Sequence, residues 1–291
     1  MGVFTFLLSI LLFCESLPAH LTENVPDKAD SLAFANAQWQ MTDLGDGAVA
    51  MYSQFQLFQS TQSICVVKYP IGKFKTSILH CPGDSAGRPS EIAKDENAVF
   101  AINGGYFHVD KKIPSVFFRD RKRINGYTHP SELFRVNGML GFKDRRGRRV
   151  EMFEAPDTNM YQMMSKGCKQ VLASGPLLIL DGETRVFVSN QSFCKFYDER
   201  HPRAVFGTDD KGYAYLVVID GRFKGQADGA SIFETTYICR MLGMTNAINL
   251  DGGGSTTLWT EKTGVINHPY DNRKFDHDGE RKVPNLIIVK R

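Results

Sequence analysis

The residue types best suited to chemistry are gathered in one block, Asn246-Ala247-Ile248-Asn249-Leu250-Asp251-Gly252-Gly253-Gly254-Ser255-Thr256-Thr257. An apolar strand there delivers a carboxylate, Asp251, into three glycines and then three hydroxyls. Backbone free of side-chain bulk can aim its amides at an oxyanion, and a carboxylate at its lip can serve as nucleophile or base. The block lacks the Gly-Lys-Ser/Thr ending of a Walker loop and the G-x-G-x-x-G dinucleotide spacing, and it does not alternate acids as an EF-hand does. Taken alone it reads either as an anion-binding or catalytic loop or as a tight structural turn.

Two other blocks place polar groups at strand ends. Asn103-Gly104-Gly105 follows an apolar run, so adjacent glycines allow close backbone approach while the Asn103 amide offers donors and an acceptor. His201-Pro202-Arg203 opens an apolar strand, and Arg203 carries a planar fork of donors suited to phosphate. The next strand ends in Asp220-Gly221-Arg222, which would bring further polar groups to the same rim. Glu234 follows on a helix. The acid and base roles of Asp251 and Glu234 depend on their separation in space, which spacing along the chain does not fix. No cysteine or histidine spacing fits a zinc site, and no cofactor is required. Asp220, Asp251 and nearby carbonyls are nevertheless of the right chemistry to hold a divalent cation.

The elements that must position these residues read as short strands. Gln62 to Tyr69, Ala98 to Ile102, Leu133 to Asn137, Leu177 to Leu180, Arg185 to Val188, Ala214 to Ile219 and Leu286 to Val289 are β-rich and bounded by Gly, Pro, Asp and Asn. Turn pairs such as Asp181-Gly182 and Lys211-Gly212 favour hairpins. Helices are expected over Ser231 to Leu242, ended by Gly243, over Thr158 to Lys166, and as a short turn over Pro89 to Asp95. The fold class is therefore α+β, a single domain with a mixed, largely antiparallel twisted sheet and a few packed helices. Two basic clusters, Arg119 to Arg123 and Lys143 to Arg149, adjoin turn residues and read either as solvated hairpin tips or as an attractor for a polyanionic substrate.

Composition bounds the rest. With 291 residues, 42% of them hydrophobic, the chain can bury a full core, and a net charge of +3 argues against nucleic acid as the main partner. No interior stretch is long and apolar enough for a membrane span. The apolar run Val3 to Cys14, followed by Glu15-Ser16-Leu17-Pro18-Ala19, has the layout of a signal peptide over residues 1–19, although no Lys or Arg precedes it. Export to the periplasm or outside the cell would oxidise cysteines that meet. Cys65 with Cys81 and Cys168 with Cys194 are the candidate pairs, and Cys239 reads as a free, buried thiol. Nothing in the sequence sets the oligomeric state.

In order along the chain, Asn103-Gly104-Gly105-Tyr106-Phe107, Ser174-Gly175-Pro176, Arg203 to Gly207, Asp220-Gly221-Arg222, Glu234 and Ile248 to Ser255 resemble the phosphodiester glycosidase family. The resemblance covers residues 60–291, leaving 20–59 as an N-terminal extension. It departs at Ala227-Asp228-Gly229-Ala230-Ser231, where members often carry Ser-x-Gly-Met-Thr. What it implies is hydrolysis of a sugar-1-phosphodiester, or of an envelope or exopolysaccharide containing one. Asp251 or Glu234 would be nucleophile or base, with Asp220 orienting Arg203 or the sugar hydroxyls. Arg203 would clamp the phosphate. Asn103, Gly104, Gly105, the Gly252, Gly253 and Gly254 amides and Ser255 would contact substrate. A phosphodiesterase cleaving the P–O side and a noncatalytic glycan-binding module are the alternatives.

Overall fold

A computed structural model describes residues 27–81, 85–120, 122–155, 161–185 and 194–291. The signal-peptide expectation lies outside them. The early strands are β1 (Gln40–Gly45), β2 (Ala48–Leu57), β3 (Ser60–Pro70), β4 (Lys75–His80), β5 (Phe100–Asn103), β6 (Phe107–His108) and β7 (Ile113–Pro114). Then come β8 (Phe118–Asp120), β9 (Lys122–Asn125), β10 (Gly138–Phe142), β11 (Val150–Glu154), β12 (Gln170–Ser174), β13 (Leu177–Leu180) and β14 (Glu183–Thr184). The chain closes with β15 (Arg203–Thr208), β16 (Tyr213–Ile219), β17 (Asn246–Asn249), β18 (Leu258–Thr260), β19 (Gly264–Val265) and β20 (Asn285–Lys290). The described helices are α1 (Lys28–Ala35), α2 (Pro89–Asp95), α3 (Tyr161–Met164), α4 (Cys194–Asp198) and α5 (Ile232–Met241).

An eight-stranded sheet in the order β1-β2-β3-β16-β15-β17-β13-β14 forms the middle layer, with every recorded pairing antiparallel. Its inner strands β3, β16, β15, β17 and β13 are apolar on both sides, and their successive residues alternate between two cores as the period of a strand requires. Ala204, Phe206, Leu216 and Val218 face one core together with the smaller sheets β11-β10-β12-β8-β9 and β19-β18-β5-β20-β4. Val205, Tyr215, Val217 and Ile219 face the other, where Ile232, Ile238 and Cys239 of α5 and Phe34 of α1 cover the sheet. This is the expected α+β, largely antiparallel architecture.

Several local expectations are corrected. The boundary at residue 60 falls inside the β2–β3 hairpin, paired from Val49↔Lys68 to Leu57↔Ser60, so the described part of segment 20–59 is built into the middle sheet. Leu133 to Asn137 is no strand. A 3₁₀ turn over Pro130–Glu132 precedes it, and the amides of Arg135 and Val136 both donate to the Glu132 carbonyl at 3.0 Å. Cys65, Cys81, Cys168 and Cys239 are all free thiols. Cys65 faces the inter-sheet core and donates to the Ile266 carbonyl (3.2 Å), whereas Cys81 belongs to a separate apolar cluster. The side chain of Cys194, residues 158–160 of the expected Thr158 to Lys166 helix and residues 186–188 of the expected Arg185 strand lie outside the described set.

The layering gives the molecule two poles. Asn103, Asn249, Asp220, Asn285 and the start of β15 sit at one end of their strands. Phe100, Tyr213, Thr208, Lys290 and Lys75 sit at the other. The side chains picked out above for chemistry collect at the first pole.

Candidate active site

The loop after β17 is held by its backbone. Asp251 N–H donates to the Gly104 carbonyl (3.0 Å), Asn103 Nδ2 donates to the Asp251 carbonyl (2.6 Å), and Thr257 N–H donates to Asn103 Oδ1 (3.1 Å). Asn103 is fully buried and spends its amide clasping this loop, so it positions Asp251 rather than facing solvent. Gly104 and Gly105 are small for packing reasons. A Cβ on Gly104 would lie 2.0 Å from Asn285 Oδ1 and one on Gly105 2.9 Å from Leu172.

The three glycines have a different cause. A Cβ on Gly252 would meet the Pro202 carbonyl at 2.6 Å, while those on Gly253 and Gly254 would stand 3.2 Å from Arg222 Nη2 and 2.3 Å from Arg281 Nη2. Space emptied of side chains is thus occupied by two guanidinium groups. Gly253 also needs the left-handed φ of +61° and gives its N–H to the Pro202 carbonyl at 2.9 Å. The hydroxyls of Thr256 and Thr257 are buried with no hydrogen-bond partner among the described residues, and the buried Ser255 hydroxyl is turned toward the Asp251 carboxyl.

Burial pushes the Asp251 carboxyl up to about 6. The Ser255 hydroxyl and the guanidiniums of Arg135 and Arg281 pull the other way without overcoming it. Arg135 is stacked 3.9 Å over the Tyr106 ring and donates Nε to Glu132 (2.7 Å), while Arg281 puts Nε and Nη2 on Asp271 Oδ1 (2.8 and 2.5 Å). Arg222 differs from both. It is exposed, has no ion-pair partner among the described residues, lies 5.4 Å over the Tyr270 ring, and holds the uncommon φ of +68°. A non-glycine residue kept in that region stores strain, which marks functional rims more often than cores.

The other expected site residues are near but differently employed. Arg203 is brought to the same end of the sheet, its Cα 3.7 Å from where a Gly252 Cβ would be. Its side chain turns to the helix side of the sheet, where Nε donates to the Ala230 carbonyl (2.9 Å) and Nη2 to those of Phe196 and Glu199 (2.9 and 3.0 Å). Burial lowers its pKa to about 10. Glu234 caps α5, accepting the Ser231 N–H (2.8 Å), and takes Arg200 bidentately, with Nη2 at 2.6 Å. Both its oxygens are engaged there.

Asp220, 1% exposed, is saturated: Oδ1 accepts from Asn267 Nδ2 (3.0 Å) and His268 N–H (2.9 Å), Oδ2 from Ser63 Oγ (2.7 Å) and His268 Nδ1 (2.9 Å). Four donors on two oxygens leave Asp220 no lone pair for a cation shared with Asp251, and Asp251 faces guanidiniums instead. What Asp220 orients is the His268 imidazole, which stacks on Phe275 at 3.7 Å between centroids. Sequence reasoning passed over His268, Arg281 and Arg135. Asn267-His268-Pro269 and Arg281 stand in an irregular segment, 266–283, where no periodicity flags a side chain; its Asp271 and Tyr270 reach back to Arg281 and Arg222.

A family model described as phosphodiester glycosidase matches residues 96–290. The chain belongs to the phosphodiester glycosidase family. The match covers Asn103, Asp220, Arg222, Glu234, Asp251 and Arg281. Among relatives, the human N-acetylglucosamine-1-phosphodiester alpha-N-acetylglucosaminidase is 27% identical over 204 residues, covering 66% of this chain and 38% of the human protein. The bovine counterpart is 25% identical over 202 residues, covering 66% and 36%. The chain thus spans well under half the length of these phosphodiester glycosidases. The catalytic domain of the zebrafish enzyme has the same fold, with TM-score 0.65 and 19% identity over 87% of this chain and 88% of that one. So has a hypothetical protein from Synechocystis, with TM-score 0.64 and 16% identity over 88% and 64%. Among the described residues no helix is long and apolar enough to cross a membrane.

Proposed function

We propose that this phosphodiester glycosidase hydrolyses the glycosidic bond of a sugar-1-phosphodiester, releasing the sugar and leaving a phosphomonoester. The observation that carries the reading is Asp251, with its carboxyl raised to about 6, beside a glycine triplet whose vacated space holds Arg222 and Arg281. A phosphodiester carries one negative charge, and when the anomeric C–O bond breaks the phosphomonoester departs with its electron pair as a good leaving group. Two guanidiniums can hold that charge and stabilise it as it grows, so little demand falls on a general acid. Asp251 acts at the anomeric carbon in its ionised form, as nucleophile or as the base that draws a proton from water.

The amides of Gly252 and Gly254 and the Ser255 hydroxyl complete the oxyanion contacts. Arg222 rather than Arg203 is the phosphate clamp, because three carbonyls already occupy Arg203. Asn103, Asp220 and Glu234 are positioning residues: they hold the Asp251 loop, the His268 ring and the α5 start. Substrates of envelope or exopolysaccharide type and export through residues 1–19 belong to the same reading. The test is purified protein with model sugar-1-phosphodiesters in water enriched in oxygen-18. Label in the sugar supports the glycosidase. Label in the phosphate selects cleavage on the P–O side, and binding without turnover selects a glycan-binding module.

A further inference from the structure

The pole opposite the active site carries a second concentration of charge. The Lys143 to Arg149 tip between β10 and β11 is docked on β4. Gly147 approaches so closely that a Cβ there would stand 1.9 Å from the Thr76 carbonyl oxygen, and Thr76 N–H donates to the Arg146 carbonyl at 3.0 Å. The Asp144 carboxylate accepts the N–H groups of Arg146, Arg148 and Arg149 at 2.8, 3.2 and 2.7 Å. Slight burial opposes them, yet these amides leave the carboxyl below its ordinary pKa. The tip is therefore pinned at both ends of its turn.

Lys73, Lys75, Arg146, Arg148 and Arg291, with Phe74, line a concavity of about 250 Å³ against that tip. Arg291 is satisfied by Asp46 and Glu261, both at 3.1 Å. Lys73, Lys75, Arg146 and Arg148 are exposed and have no carboxylate partner among the described residues. A neighbouring concavity of about 490 Å³ shares Arg148. It borders Thr208, the far end of the strand that begins at Arg203, roughly 17 Å away at the rise of an extended strand.

We propose that this pole binds a polyanionic glycan chain at a site separate from the catalytic loop. One phosphodiester held at Arg222 and Arg281 cannot reach four cations that far away, so they match further charges along an extended ligand. The wall is concave, and its apolar member, Phe74, is buried at 1% exposure, which offers no side chain to insert into a lipid surface. No exposed aromatic ring lines it for stacking bases. The choice of a glycan rests on the proposed reaction, whereas the existence of the anion site does not.

The test compares the full chain with a K73Q/K75Q/R146Q/R148Q variant. Binding to a soluble glycan with repeating phosphodiester links is measured by titration calorimetry at low and moderate salt, beside duplex DNA and phosphatidylserine vesicles. All four positions are exposed side chains, so the fold should persist, and the two double variants K73Q/K75Q and R146Q/R148Q give intermediate points. The expected result is at least about tenfold weaker glycan binding with a shallower salt dependence. Turnover of a small sugar-1-phosphodiester should stay within about twofold of the unmodified chain. Equal glycan binding by both proteins overturns the site, and DNA or vesicles bound as tightly as the glycan overturn its assignment. Absence of small-substrate turnover in the unmodified chain would sink the proposed reaction, while the binding comparison would still decide the site.

Discussion

Replacing Asp251 with Asn should remove turnover and at the same time make the folded protein more stable at neutral pH. The carboxyl moves from 3.8 to about 6 on folding. A shift of that size corresponds to about 3 kcal/mol of penalty for carrying the charge in the folded site. The sign follows from linkage. Because the folded pKa is raised, the protonated form is favoured, stability is greatest below the unfolded value, and it declines as pH rises toward 6 before levelling. The carboxamide of Asp251→Asn is never charged, so the variant's advantage should be absent near pH 4, grow between pH 4 and 6, and reach about 2–3 kcal/mol at pH 7.5. With a urea slope of about 3 kcal/mol/M for a domain of this size, the midpoint should rise by somewhat under about 1 M. Urea titrations at four pH values, run beside a sugar-phosphodiester assay, read both effects. A variant that loses activity yet shows no pH-dependent stabilisation would refute the claim that Asp251 is a charge held at a cost by its surroundings.

On the proposed reaction, in which Asp251 acts ionised, the unmodified chain should have an acid limb in kcat/KM near pH 6; a flat profile from pH 5 to 8 would contradict this. Arg222→Gln should lower kcat/KM by about a hundredfold through loss of the phosphate contact, with little change in melting temperature, because the side chain is exposed and has no ion-pair partner among the described residues. Arg203→Met should behave in the opposite way. It takes the guanidinium from the part-buried carbonyls of Phe196 and Glu199 and from the buried one of Ala230, which keeps the His201 N–H, and should cost about 2 kcal/mol or more in denaturant unfolding. Glu234→Gln, which weakens the Arg200 pair and the α5 cap, should cost about 1–3 kcal/mol while kcat in the remaining folded protein stays near normal; loss of kcat without loss of stability would return Glu234 to the chemistry.

How far the sequence could be read depended on whether an interaction was local. β3, β13, β16, β20 and α5 were legible because β-rich runs bounded by turn residues, turn pairs and the Ser231 to Leu242 helical pattern ended by Gly243 are written within a few residues. The Asp251 loop was legible because three adjacent glycines have few explanations. The occupant of the space was not, since Arg222 and Arg281 arrive from segments far along the chain. Arg203 illustrates the same limit: a guanidinium at a strand start looks the same in sequence whether phosphate or three main-chain carbonyls receive it. Leu133 to Asn137 looked β-rich, but the Glu132 carbonyl drew the chain into a helical turn. The cysteines pair well on paper, yet alternation sends Cys65 into the inter-sheet core while Cys81 packs elsewhere.

The active pole joins two kinds of backbone. Arg203, Asp220 and Asn249 hang from the central strands β15, β16 and β17, whose amides should exchange with deuterated water at the pace of whole-molecule unfolding. The 266–283 segment that brings Arg281, Tyr270 and His268 has almost no ladder of its own, so its amides should exchange orders of magnitude sooner. On the proposed reaction, Asp251 would then stand between a slowly exchanging floor and a faster-exchanging segment that could give way as the sugar leaves, and equal protection of the two would contradict that division of labour.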